Sequence, residues 1–256
     1  MGSSAQQIRL QTVKYSLALA IMQIKGFIDI SFSDWDGKVS SVIFLPDCNF
    51  RCPFCYNKSL VLQSEAMPTI PYERIKKYLE ANRKWIDGVV VTGGEPTEHK
   101  DLPDLCSELK GMGVHVKVDT NGTNPAVIDK LIEDKLVDYV ALDLKAPLTD
   151  EEYSKTSGVK AGRVLDRLKG SIQILLGNKV DYEFRTTVVP TLHCVDDVQR
   201  ICQAIKGCRK YALQNYKSDV ETIDPVFQDL KPFSAAETEV FFEAARKIVP
   251  NTILRG

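Results

Sequence analysis

Three cysteines fall within eight residues, in the run Pro46-Asp47-Cys48-Asn49-Phe50-Arg51-Cys52-Pro53-Phe54-Cys55-Tyr56-Asn57. Thiolates are the standard ligands of iron–sulfur clusters, and four of them usually saturate a [4Fe–4S] cube. A C-x3-C-x2-C loop supplies three, which leaves one iron open to a ligand from outside the protein. The competing chemistry is zinc, with Cys52 and Cys55 as the C-x2-C half of a site. Zinc would need a fourth ligand from His99, His193 or Cys106, and neither a second C-x2-C nor a paired histidine stands at the usual spacing. The other cysteines, Cys106, Cys194, Cys202 and Cys208, are irregularly spaced. They read as structural thiols rather than as a second cluster.

Further polar residues stand at the ends of apolar runs. Gly93-Gly94-Glu95-Pro96 follows Gly88-Val89-Val90-Val91-Thr92. Glycines let a backbone come close to a ligand, a carboxylate beside them can accept from an ammonium group, and Pro96 stiffens the exit. Read alone, this is also an ordinary strand-to-helix turn. Asp119-Thr120-Asn121-Gly122 reads alone as a strand end with a turn, and Asp143-Leu144-Lys145 as a solvated loop. Arg185, in Glu183-Phe184-Arg185-Thr186-Thr187, reads alone as a salt-bridge former at a barrel edge.

The elements that must carry these residues alternate. Segments rich in Val, Ile, Leu, Phe and Tyr predict strands at Val39–Leu45, Gly88–Thr92, Val114–Asp119, Tyr139–Leu144, Tyr182–Val189 and Tyr211–Asn215. Helices are predicted near 72–84, 101–112, 124–135, 161–177, 195–206 and 234–248. Strand–helix alternation implies a parallel sheet with helical crossovers. Six repeats suit a partial (β/α)6 barrel, with its functional groups at the C-terminal strand ends. The cysteine loop, GGEP, DTNG and DLK all follow predicted strands, so the polar residues gather at one end.

The whole chain fits that frame. Its 256 residues are 44% hydrophobic, enough for one α/β domain over 23–256. With 33 basic and 34 acidic residues, no charge excess points to nucleic acid. Seven cysteines in a chain of this size fit cytoplasmic metal or redox use better than a secreted disulfide framework. No apolar run spans a bilayer. Residues 1–22 are expected to be an N-terminal extension: Leu17 to Met22 is a weak imitation of a signal peptide, followed at once by Gln23 and Lys25.

The cysteine loop, with aromatic Phe54 before its last cysteine, resembles the signature of the radical S-adenosylmethionine (SAM) superfamily. That resemblance implies that Cys48, Cys52 and Cys55 hold a [4Fe–4S] cluster. SAM would chelate the open iron, and one electron would cleave it to a 5′-deoxyadenosyl radical. It implies that Phe54 packs near the adenine, and that Gly93, Gly94, Glu95 and Pro96 bind the methionyl amino group. The DTNG and LDLK segments are similar to those of glycyl-radical enzyme activating enzymes. There, Asp143 and Lys145 would contact SAM. Asp119, Thr120 and Asp143 would form a monovalent cation site, with Asn121 nearby, and Arg185 matches an arginine of that group's fifth strand. With the leader Gly26–Val39, the pattern looks like anaerobic ribonucleoside-triphosphate reductase activating protein. The implied partners are a glycyl radical enzyme and reduced flavodoxin or ferredoxin as electron donor. Two departures stand out: Asp47 where that group often has glycine, and Tyr56-Asn57 where histidine often follows the last cysteine. The alternatives are a radical SAM enzyme acting on a small molecule, a peptide or tRNA, and a non-catalytic metal-binding protein.

Overall fold

The computed structural model describes residues 22–255; the extension expected at 1–22 lies almost entirely outside them. Alternation of side chains along each strand explains the architecture, because successive residues face opposite sides of a sheet. Ile43, Leu45, Val89, Val91, Val116, Val118, Val140 and Leu142 point to one side and join the large core beneath the helices. Val42 and Val90 point to the other and form a small second cluster with Trp35.

The strands are β1 (Gly26–Ser31), β2 (Ser40–Leu45), β3 (Gly88–Gly93), β4 (His115–Thr120), β5 (Tyr139–Asp143), β6 (Asp181–Val188), β7 (Tyr211–Asn215) and β8 (Thr252–Arg255). They form a single sheet in that order, parallel from β2 to β8, with β1 antiparallel on β2. The helices are α1 (Lys58–Leu62), α2 (Tyr72–Ala81), α3 (Leu102–Gly111), α4 (Pro125–Glu133), α5 (Asp150–Ser157), α6 (Gly162–Leu176), α7 (Val195–Ala204) and α8 (Ala235–Arg246). The expected strands are β2 to β7; β8 adds a parallel strand and β1 an antiparallel edge.

The inner face curls round. Asp36, in the turn after β1, lies 2.5 Å from Arg255 on β8 and 2.6 Å from Lys210, just before β7. An ion pair thus joins the two ends of the strand order across the N-terminal end of the sheet, as in a partial barrel open along one side. No helix among the described residues is long and apolar enough to cross a membrane.

Candidate active site

The cysteine loop runs from β2 to α1 and is held by backbone contacts on several sides. Asp47 opens it at φ 57°, a left-handed conformation that asparagine and aspartate tolerate better than most residues. Its carboxylate accepts from Ser64 Oγ at 2.8 Å, which accounts for aspartate where the group often has glycine. Gly94 N donates to Leu45 O at 2.9 Å, and Glu95 N to Asp47 O at 2.7 Å. A Cβ on Gly93 would lie 2.2 Å from Leu45 O, and one on Gly94 only 1.6 Å from Asp47 O. The paired glycines therefore allow the β3 turn to lie directly against the loop. Arg51 N donates to Ser157 O at the end of α5, and Asp224 N, in the β7–α8 connection, donates to Pro53 O. The second departure has its own contacts: Tyr56 OH accepts from Lys217 N at 2.6 Å, and Asn57 Nδ2 donates to Gly93 O at 2.8 Å.

One pocket brings the separated motifs together. It is lined by Cys48, Cys52, Cys55, Gly93, Gly94, Glu95, Asp119, Thr120, Asn121, Asp143 and Lys145. Phe50, Asn57, Val61 and Thr92 complete the wall and were not singled out from sequence. Phe50 and Asn57 sit within or next to the motif, a proximity that gave a usable signal; Val61 carries none. Phe54, Pro96 and Arg185 are not in this lining. The Phe54 ring is buried with its centroid 6.5 Å from that of Phe227, so it plugs the loop against the β7–α8 connection. Pro96 starts a short 3-10 turn, where its missing N–H costs nothing.

The thiols are shielded. Burial pushes the Cys48 thiol up to about 11 and that of Cys52 to about 12, and it raises Cys55 as well. The Lys145 ammonium opposes this at all three, so the chain supplies a cation facing the sulfurs. Among the described residues, no three His, Cys, Asp or Glu side chains converge on the position of one ion. A [4Fe–4S] cube takes each thiolate on a different iron. The proposed fourth zinc ligands are engaged elsewhere. His99 Nε2 bonds Pro46 O at 2.7 Å, and His193 lies between Val189 N and Lys145 O. Cys106 is buried on α3, and Cys202 and Cys208 are buried in the same core.

Glu95 is a hub. Its Oε1 accepts from Thr97 N, Thr97 Oγ1 and Thr120 Oγ1, and its Oε2 from Asn121 N at 2.6 Å. Burial raises its pKa, and these donors pull against the shift. The GGEP and DTNG segments are thereby tied together, and Oε2 keeps one acceptor position. Asn121 Nδ2 donates to Asn49 Oδ1 at 2.7 Å and lies 3.9 Å from Cys48 Sγ.

Arg185 bridges the two aspartates. Its Nε donates to Asp143 Oδ1 at 2.7 Å and its Nη1 to Asp119 Oδ2 at 3.0 Å. Lys145 Nζ lies 3.3 Å from Asp143 Oδ2. Burial alone would raise the Asp143 pKa, but Arg185 and Lys145 outweigh it and hold the carboxyl well below the usual range. The residues expected at the cation site are brought together here by the chain's own groups: Arg185 stands between Asp119 and Asp143, and Thr120 gives its hydroxyl to Glu95.

Residues 42–193 match the family described as the Radical SAM superfamily. The chain belongs to that superfamily. It is 32% identical, over 91% of its length and 95% of the relative's, to a Methanocaldococcus jannaschii protein named "Putative glycyl-radical enzyme activating enzyme". It is 30% identical over 59% of its length to a Pyrococcus horikoshii "Probable GTP 3',8-cyclase", covering 46% of that protein. Among solved structures, Streptococcus suis SuiB superposes with a TM-score of 0.61 at 16% identity, over 82% of this chain and 47% of that one. The chain spans about half of that structure, and the likeness bears on fold alone. Membership implies a [4Fe–4S] cluster and SAM, and the thiol-lined pocket fits both: three soft ligands leave one iron open, beside a wall of charged and polar groups.

Proposed function

We propose that this radical SAM enzyme abstracts a Cα hydrogen from a glycine of a partner glycyl radical enzyme, one like anaerobic ribonucleotide reductase. The observation that carries the reading is the near full-length similarity to a protein named as an activating enzyme. The similarity to GTP 3',8-cyclase stops at 59% of the chain. A shared SAM-handling core accounts for it, so it does not extend to the substrate.

Cys48, Cys52 and Cys55 would hold the cluster, and Lys145 stabilises their thiolate forms. Cluster and SAM, when bound, supply one-electron cleavage to a 5′-deoxyadenosyl radical, the electron coming from reduced flavodoxin or ferredoxin. Lys145 offers its ammonium to the SAM carboxylate, and the remaining acceptor site of Glu95 Oε2 takes the amino group. Arg185 fixes Asp143, and through it Lys145. Burial of Cys52 and closure of the loop by Phe54 and Phe227 keep water from the radical. The reaction exchanges one hydrogen atom: the glycine Cα–H bond breaks, a C5′–H bond forms, and the unpaired electron stays on the glycine. Glycine suits this because it has no Cβ and enters as bare backbone.

The test combines reconstituted protein, SAM, a reductant and a candidate anaerobic ribonucleotide reductase. A glycyl radical signal, lost when the target glycine is replaced by alanine, supports the reading. Deoxyadenosine formed rapidly with a small molecule, and with no glycyl-radical protein, moves the substrate to the alternative class.

A further inference from the structure

The leader Gly26–Val39 contributes no residue to the pocket. It forms β1 and a turn that lies under the inner face of the sheet. Trp35 of this turn is buried on Val42 and Val90, with its ring 5.8 Å from that of Tyr139. The carbonyl of the preceding residue, Asp34, accepts from Lys117 Nζ at 2.5 Å.

From this floor, charges of alternating sign climb to the pocket. Asp36 pairs with Arg255, and Arg255 grips both Glu183 oxygens, at 2.9 and 2.7 Å. Lys117 Nζ lies 3.9 Å from Glu183 Oε1 and 3.5 Å from Asp119 Oδ1. The other oxygen of Asp119 binds Arg185, which binds Asp143, which binds Lys145. Lys117 and Glu183 are almost wholly buried, at 2% and 1% exposure, and neither lines the pocket. Asp119 Oδ1 is buried and receives no hydrogen bond, so the Lys117 ammonium is the charge that faces it. A buried carboxylate is costly unless its partners stand in place.

We propose that Lys117 is a positioning residue for the SAM site. Seated on the Asp34 carbonyl, its ammonium holds the Asp119 carboxylate where it engages Arg185, so the β1–β2 turn sets the acidic wall of the pocket. This rests on the pocket being the SAM site.

SAM affinity is measured anaerobically on cluster-loaded protein, with iron content and thermal midpoint recorded alongside. Lys117→Met is expected to weaken SAM about tenfold, at unchanged iron content. Asp119→Asn should weaken it likewise, and Lys117→Met/Asp119→Asn should bind no worse than Asp119→Asn alone, because Lys117 acts through that charge. Leu105→Ala, in the apolar core beneath α3, serves as the control for stability: a lower midpoint with wild-type SAM affinity is expected. Wild-type affinity in Lys117→Met, or losses that multiply in the double variant, would overturn the proposal. If Lys117→Met does not fold, the double variant, which removes both buried charges, is compared with Asp119→Asn on the same criterion. Failure of the wild-type protein to bind SAM would instead sink the underlying reading of the pocket.

Discussion

The two faces of the sheet divide the work. The helix-covered face is apolar: Val89, Val91, Val116, Val118, Val140 and Leu142 are all buried in one core. The inner face starts with a few apolar side chains at Trp35 and becomes ionic above them, with Lys117, Glu183, Asp119, Arg185 and Asp143. Apolar burial is non-directional and tolerates exchange of similar volumes. A buried ionic array fails as a unit when one member is lost. Both faces therefore contribute stability, but only the inner face also sets where the reactive groups stand.

The largest expected effect belongs to the mouth of the inner face. Cys52→Ala removes one of three thiolates and should abolish cluster assembly and SAM cleavage, with circular dichroism showing the fold retained. Wild-type iron content in that variant would break the assignment of the loop.

The sharpest contrast comes from a matched pair. Arg185→Met leaves Asp119 and Asp143 without their shared cation and should cost about 3–5 kcal/mol of stability, with SAM affinity falling in parallel. Leu142→Ala, on the opposite face of the strand that carries Asp143, should cost about 2–5 kcal/mol in urea unfolding while SAM affinity stays at the wild-type level. If both lose SAM to the same extent, the division between the faces is wrong.

Lys145→Ala should assemble the cluster yet bind SAM about ten- to a hundredfold more weakly, through loss of a charge-assisted hydrogen bond. Titration calorimetry on reconstituted protein decides it; unchanged affinity would remove Lys145 from the site.

The smallest effect is a pH dependence at His193. Its Nδ1 accepts from Val189 N at 3.0 Å, so Nε2 carries the hydrogen and donates to Lys145 O at 2.8 Å. Burial lowers its pKa, and the folded protein holds it neutral. The unfolded chain takes up a proton near pH 6.5, so acidification below that value should drain stability, and the contribution is complete above it. His193→Gln should flatten that part of the stability profile in denaturant titrations at several pH values. A wild-type profile with no such slope would contradict the assigned proton.

How much of this was legible in the sequence follows the same division. Periodic apolar runs with clear punctuation located β2 to β7, and the strand ends located the motifs. β8 gives no signal because four residues after Pro250-Asn251 show no period, whereas β1 carries one in the alternation Ile28-Asp29-Ile30-Ser31, whose apolar side chains stay exposed at the sheet edge. In Val116-Lys117-Val118-Asp119, alternation of apolar and charged residues reads as a strand with one wet face. In a curled sheet that polar face turns inward instead, and Lys117 becomes one of the largest fully buried side chains among the described residues. The roles of Glu95 and Arg185 also changed with context. Sequence showed a carboxylate after two glycines and an arginine on a strand, but not that one already accepts from four donors of the chain and the other bridges Asp119 and Asp143. Phe54 sits on the expected loop, yet the long β7–α8 connection, which has no motif of its own, supplies the ring it packs beside.

The most direct test of the account is anaerobic reconstitution with iron and sulfide, followed by SAM and a strong reductant, with 5′-deoxyadenosine measured by chromatography. The account predicts four irons per cluster, an electron paramagnetic resonance spectrum that SAM perturbs, and deoxyadenosine from the wild-type protein but none from Cys52→Ala. Stoichiometric zinc in anaerobically purified protein, with no iron uptake and no deoxyadenosine, would contradict it.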